Sequence, residues 1–197
     1  MLFHANQSAC NHHPNRKFYE LPALQQYKWY WRLEPDVEYT CAITYDPFVE
    51  MERRNKVYGF TIALWELGNS CPSLFREVAD WMDFRGVRPT ALWKAAVSAS
   101  WAPWPLRRLL MSWFAHRDAR GDAWSLCHYW SNFEIADMDF FRSAEYQAFF
   151  DYLDRKGGFY FERVSFSPPT PHFFSPFLFL TSFFLIMEAF FYKTNTY

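Results

Sequence analysis

Two short acidic patches hold the residues best suited to chemistry. In Glu34-Pro35-Asp36 the proline biases Glu34 towards extended backbone. Period-two geometry then sends the Glu34 and Asp36 side chains off the same face, two carboxylates within reach of one divalent cation. The same tripeptide also suits a solvated turn in which Asp36 bonds the local backbone. The second patch is Phe133-Glu134-Ile135-Ala136-Asp137-Met138-Asp139, where Glu134, Asp137 and Asp139 alternate with large apolar residues and are carried into or beside a core. Burial penalises the charged form of a carboxyl, whereas a cation or hydrogen-bond donors hold it ionised, so the neighbours decide its role. Glu134 has a purely structural alternative as well, because Ser131-x-x-Glu134 matches a capping box at a helix start.

Other reactive side chains carry less. His12-His13 is a ligand-like pair, but adjacent side chains point apart and no third ligand stands nearby, so a solvated loop is expected. Cys10, Cys41, Cys71 and Cys127 are widely separated and form no CxxC pair, which excludes the usual cysteine zinc and thiol-exchange patterns. Arg107-Arg108 and the His116-Arg-Asp-Ala-Arg-Gly-Asp122 loop read as solvated surface. His116-Arg117-Asp118 lacks the downstream residues of a kinase catalytic loop, and no glycine-rich phosphate loop occurs. Asn6-Gln7-Ser8 fits the glycosylation acceptor pattern, which matters only on a secretory route.

The elements that must position these residues follow from periodicity and breakers. Lys28 to Leu33 is an aromatic run expected to end as a strand at Glu34. Val37 to Tyr45 alternates towards Asp46-Pro47, and Lys56 to Leu64 reads as a largely buried strand, giving a mixed sheet. Leu74, Phe75, Val78, Trp81 and Met82 recur at helical spacing after Ser73, a credible cap. Trp93, Trp101, Trp104 and Trp113 surround Pro103 and Pro105, a stretch that could line a sugar site, with core packing the commoner use of such residues. The clearest helix runs from a Ser143 cap through Tyr146, Phe149, Phe150 and Leu153 to Lys156, with Gly157-Gly158 as its stop.

Composition bounds the class. The chain has 197 residues, 51% hydrophobic and 23% aromatic, which suits one packed domain and excludes global disorder. A net charge of -1 supplies no basic field for nucleic acid, so no nucleic-acid partner is expected. From Val164 onward the composition changes: nine of the 23 Phe and four of the 12 Pro fall there, with no Gly and only Glu188 and Lys193 charged. Phe173 to Tyr192 is about long enough to cross a bilayer, although Pro176 and Glu188 count against a clean span.

Tyr27 to Val37, Tyr45 to Phe48, Tyr58 to Leu64 and above all Cys127 to Arg163 carry a resemblance. Together they resemble the fungal Golgi α-1,2-mannosyltransferase family, also described as glycolipid 2-alpha-mannosyltransferases. The resemblance implies an α/β fold, a partial GT-A-like domain with a mixed sheet flanked by helices. It implies a retaining transfer of mannose from GDP-mannose, with Mn²⁺, to mannosylated glycoprotein or glycolipid glycans in the Golgi lumen. On this basis Glu34 and Asp36 belong to the metal site, and Glu134 is the carboxylate near the anomeric carbon. Chemically the pattern is coherent, since Mn²⁺ takes oxygen ligands and neutralises the leaving diphosphate, while a carboxylate steadies an oxocarbenium-like state or attacks it.

Departures from the family pattern are also visible. After Phe161-Glu162-Arg163 the family continues Trp-Gly-Asp-Ala-Pro-Val-His-Ser and later supplies a metal-site histidine; here Val164-Ser165-Phe166 follows, and His172 is no substitute. Leu21 stands where His-Pro-Ala-Leu is usual. The expected organisation is therefore a non-matching segment over 1–16, the central part of a mannosyltransferase catalytic domain over 17–163, and a Phe-rich non-family tail over 164–197. The family's anchor, stem and first nucleotide-binding strands are expected to be missing, and the tail is read as a retained intron, since GTGAGT would encode Val164-Ser165. The rival reading is a catalytically inactive fragment, or an interaction product held to membranes by the tail.

Overall fold

The computed structural model describes residues 2–3, 15–33, 38–68, 71–129, 133–158 and 162. The expectations made for His12, His13, Glu34, Asp36, Ser131 and the tail from Val164 lie outside these residues. In chain order the elements begin with β1 (Leu2–Phe3), 3-10 turns at Asn15–Glu20 and Pro22–Leu24, β2 (Trp29–Leu33), α1 (Pro47–Arg53), β3 (Tyr58–Phe60) and β4 (Ala63–Trp65). Next come α2 (Leu74–Arg85), α3 (Ala91–Ala96), β5 (Val97–Ser98), α4 (Leu106–Leu110), a 3-10 turn at Met111–Trp113, and β6 (Ala123–Trp124). The last are β7 (Cys127–Tyr129), β8 (Phe133–Asp137), α5 (Met138–Arg142) and α6 (Ala144–Lys156).

The main sheet has the order β1-β2-β8-β3, with β1 parallel to β2 and the other pairs antiparallel. It is mixed, as expected, and helices flank both faces. On one face α5 and the 15–24 segment close over Tyr30: Phe141 lies 5.8 Å from the Tyr30 ring and stacks on Tyr19 at 5.4 Å. On the other face α1 covers Trp31 through Phe48, at 6.2 Å, and seats Met51 against Gly59, where an added Cβ would meet its sulfur at 3.4 Å. Helix α1 starts at that point because the Asp46 carboxylate accepts from the Phe48 and Val49 amides and Pro47 fills the first turn.

The core continues where α2 meets α6, with Trp81 at 5.6 Å from Phe149 and 5.0 Å from Tyr152. Helix α6 matches its expected limits: the Ser143 hydroxyl accepts from the Tyr146 amide, and Gly157 ends the helix at a φ of 78°, a left-handed turn that favours glycine. Arg142 fastens the N-terminal turns to α5 by donating to the carbonyls of Tyr19, Leu24 and Tyr27. Helix α2 begins after Ser73, but the serine side chain makes no capping bond; its amide donates to the Glu162 carboxylate instead, at 3.0 Å.

Four expectations need correction. Lys56 to Leu64 is not one buried strand: it divides into β3 and β4, and Trp65 at the end of β4 is 80% exposed. Both pair with the 127–137 stretch, β3 with β8 and β4 with β7. Phe60 stands opposite Glu134 and Ala63 opposite Tyr129, so two residues intervene on one strand and four on the other. That offset interrupts the ladder immediately before Glu134, the kind of irregularity that re-aims a side chain. Residues 38–46 alternate in sequence yet form no strand and stay exposed, since none of them finds a strand partner among the described residues.

Of the four tryptophans singled out, only Trp93 packs in the core. Trp101, Trp104 and Trp113 are exposed, because α4 and its flanks place their apolar side chains on the surface. The 116–122 loop is not merely solvated: Asp118 is buried and its carboxylate accepts from the amides of Arg120 and Asp122, closing a built turn. Among the described residues no helix is long and apolar enough to cross a membrane.

Candidate active site

Strand β8 lies at the centre of the sheet, and its register sets the site. Glu134 stands opposite Arg32 on β2 and Phe60 on β3, while Ala136 stands between Tyr30 and Tyr58. Residues two apart on a strand share a face, so Tyr30, Arg32, Glu134, Ala136 and Tyr58 belong to one face. The Glu134 carboxylate is 2% exposed. Its Oε1 accepts from the Tyr30 hydroxyl at 3.0 Å and its Oε2 from the Tyr58 hydroxyl at 2.8 Å. The buried Arg32 guanidinium brings Nη1 to 4.0 Å from Oε1. A buried charge needs such company, because desolvation without donors or a counter-ion costs several kcal/mol, of order.

The tyrosines themselves are poor acids here. Burial pushes both phenols well above their ordinary range, and the Glu134 charge pushes them further, so each keeps the proton it donates. Tyr146, from α6, is raised in the same way by burial first and by Tyr19 and Glu134 after it. Stacking of Tyr58 on Tyr129 at 5.7 Å and of Phe60 on Tyr129 at 3.7 Å walls the site on the β3 side.

The three acids of the second patch therefore part ways. Glu134 alone enters the core. Asp137 caps α5 by accepting from the Asp139 amide, and burial raises its carboxyl above the usual range. Asp139 is an exposed partner of Arg142 at 3.1 Å. The capping-box alternative for Glu134 falls, since its backbone is in a strand whereas a capping box requires a helical first turn. Glu34 and Asp36 follow the end of β2 in sequence and lie outside the described residues. Among those described, no group of three or more His, Cys, Asp and Glu gathers to hold a metal.

Sequence reasoning attached no role to Tyr30, Arg32 or Tyr58, nor to a second buried pair. His128, on β7, is 3% exposed, with Nδ1 4.0 Å from the Glu66 carboxylate. Burial lowers the imidazole's pKa below its ordinary value and outweighs the opposing pull of Glu66. The only signal in the sequence was the polar residue within the apolar runs of 27–33, 56–64 and 127–137, and that pattern does not say which residues meet.

Comparison with known proteins settles the lineage. The sequence profile of the glycolipid 2-alpha-mannosyltransferase family matches residues 7–171. The chain belongs to this family. Among relatives in Schizosaccharomyces pombe, O-glycoside alpha-1,2-mannosyltransferase homolog 5 is 38% identical over 173 residues, covering 78% of this chain and 39% of the relative. Homolog 2 is 41% identical over 151 residues, covering 77% and 36%. Among solved structures, core-mannan synthase A from Aspergillus fumigatus, in its Mn/GDP form, superposes with a TM-score of 0.63 at 32% identity, over 88% of this chain and 40% of that one. The mannosyltransferase Ktr4p of Saccharomyces cerevisiae, in complex with GDP, gives 0.57 at 32%, over 73% and 35%. The family's glycosyltransferase fold is thus present, and this chain spans about two fifths of the length of the relatives it matches.

Proposed function

We propose that the chain serves transfer of mannose from GDP-mannose to a mannosylated glycoprotein or glycolipid glycan in α-1,2 linkage, with retention of configuration, in the Golgi. The observation that carries this is the buried Glu134 carboxylate at the centre of the sheet, satisfied by two tyrosines and faced by Arg32. The strand that supplies Tyr30 and Arg32 runs directly into Glu34-Pro35-Asp36. Glu34 follows Arg32 by two residues, a separation that the covalent chain limits to about 7.6 Å between Cα atoms. That closeness in the chain supports reading the two acidic patches as parts of one sugar-nucleotide site. The matched structures, described with GDP and with Mn/GDP, support the donor and the ion.

In this reading Glu134 faces the anomeric carbon as the bond to the diphosphate oxygen breaks and the acceptor's 2-hydroxyl oxygen takes its place, the hydroxyl proton passing to the departing diphosphate oxygen. Its negative charge stabilises the positive charge that develops on the sugar, and its water-poor surroundings strengthen that effect. Glu34 and Asp36 are the proposed ion ligands, an all-oxygen donor pair that suits a hard divalent cation. Manganese, when bound, neutralises charge on the departing GDP. Arg32 balances Glu134 in the resting protein.

A transfer assay with GDP-mannose, Mn²⁺ and an α-mannoside acceptor tests the proposal. The expected result is an α-1,2-linked product whose formation falls at least about a hundredfold in Glu134→Gln. Turnover unchanged by that substitution overturns the assignment of Glu134. Absence of both turnover and GDP-mannose binding by calorimetry overturns the enzymatic reading in favour of a non-catalytic fragment.

A further inference from the structure

We propose that Tyr30 and Tyr58 are positioning residues, which hold the Glu134 carboxylate ionised and fixed in orientation by bonding one oxygen each from opposite sides. The functional consequence rests on the glycosyl-transfer reading; the physical one rests on geometry. The two hydroxyls come from the strands on either side of β8, Tyr30 on β2 and Tyr58 on β3, and they reach different oxygens of one carboxylate. An ionised carboxylate only accepts, and the two phenols supply protons that they do not readily lose. Arg32 contributes charge from 4.0 Å, beyond hydrogen-bond distance, whereas the two hydroxyls bond the carboxylate oxygens directly.

The phenols are themselves held by rings. Tyr30 is wedged edge-on against Phe18 at 5.1 Å and tilted against Phe141 at 5.8 Å, and Tyr58 is stacked on Tyr129. A phenylalanine at either position retains these contacts and removes only the donor. With a donor gone, the buried carboxylate loses one of the bonds that favour its charged form, which shifts the balance towards the neutral acid. A protonated carboxyl has no charge to set against an oxocarbenium-like state, so turnover falls while donor binding, carried elsewhere, does not.

The test uses Tyr30→Phe, Tyr58→Phe and the double variant in the full chain, with circular dichroism as the folding check. Infrared difference spectra against Glu134→Gln report the protonation of that one carboxyl and need no turnover. At neutral pH the unaltered chain is expected to show the carboxylate band and the double variant the protonated-acid band. In the transfer assay each single variant is expected to lose roughly tenfold to a hundredfold in kcat, the worth of one hydrogen bond to a charged group, with KM for GDP-mannose unchanged. If the double variant does not fold, the singles carry the same readings. A carboxylate band that stays unmoved, or a kcat that stays unchanged, overturns the proposal. Failure of the glycosyl-transfer reading shows separately, as absence of turnover and of GDP-mannose binding in the unaltered chain, where the infrared readings still test the geometry.

Discussion

Arg32 and Glu134 form a buried ion pair whose strength can be worked out from their separation. At 4.0 Å, two unit charges attract by about 4 kcal/mol at an effective dielectric constant of about 20. Both groups have already lost their hydration, Arg32 at 7% exposed and Glu134 at 2%. Removing one partner therefore takes a close opposite charge from the other, in a place where water cannot replace it. Arg32→Met is expected to cost about 3–5 kcal/mol of stability, because it removes the cation 4.0 Å from a buried carboxylate. Glu134→Gln keeps the shape of the side chain and takes the carboxylate charge away from the guanidinium instead. In the double variant neither charge remains, so its loss should fall short of the two single losses added together by about 2–4 kcal/mol. Urea unfolding of the four proteins, followed by tryptophan fluorescence, measures this coupling directly. A coupling below about 0.5 kcal/mol would refute the reasoning, since a pair that behaves additively is not an electrostatic unit.

Two further outcomes follow from local features. Burial holds the His128 imidazole below its ordinary pKa of 6.5, so the unfolded chain takes up a proton that the folded one resists. Stability should be full above about pH 6.5 and fall as pH drops below it, by at most about 1.4 kcal/mol per pH unit, and His128→Asn should flatten that slope in urea midpoints taken from about pH 7.5 to 5; equal slopes in the two proteins would count against it. Ser143→Ala removes a capping bond and should cost about 1 kcal/mol, whereas Ser73→Ala, whose side chain makes no capping bond, should cost only a few tenths; thermal melts showing equal losses would contradict this contrast.

The parts of the fold that were readable share one property: their signals lie within a few residues of one another. Ser143, the apolar positions from Tyr146 to Leu153, and Gly157 state the beginning, the buried face and the end of α6 within 15 residues. The aromatic run at 28–33 is β2, and the mixed sheet with flanking helices follows the family pattern. Failure came where the answer depends on a distant partner. The break between β3 and β4 is created by two additional residues on the opposing strand, which nothing in 56–64 encodes. Three of the four tryptophans near Pro103 and Pro105 are exposed, and periodicity cannot separate exposure from packing where prolines interrupt it.

The site divides the same way. Residue types and blocks in the chain were enough to establish membership of the mannosyltransferase family and to pick out Glu134 as an acid within an apolar stretch. They could not say that Asp137 is a cap, that Asp139 is a surface ion pair, or that Glu134 is shared by hydroxyls 104 and 76 residues away. Caps and helical stripes are interactions between near neighbours, so a linear text can carry them. Which phenol reaches which oxygen is a matter of strand register, and register is fixed only when a face of the sheet is buried against the rest of the fold.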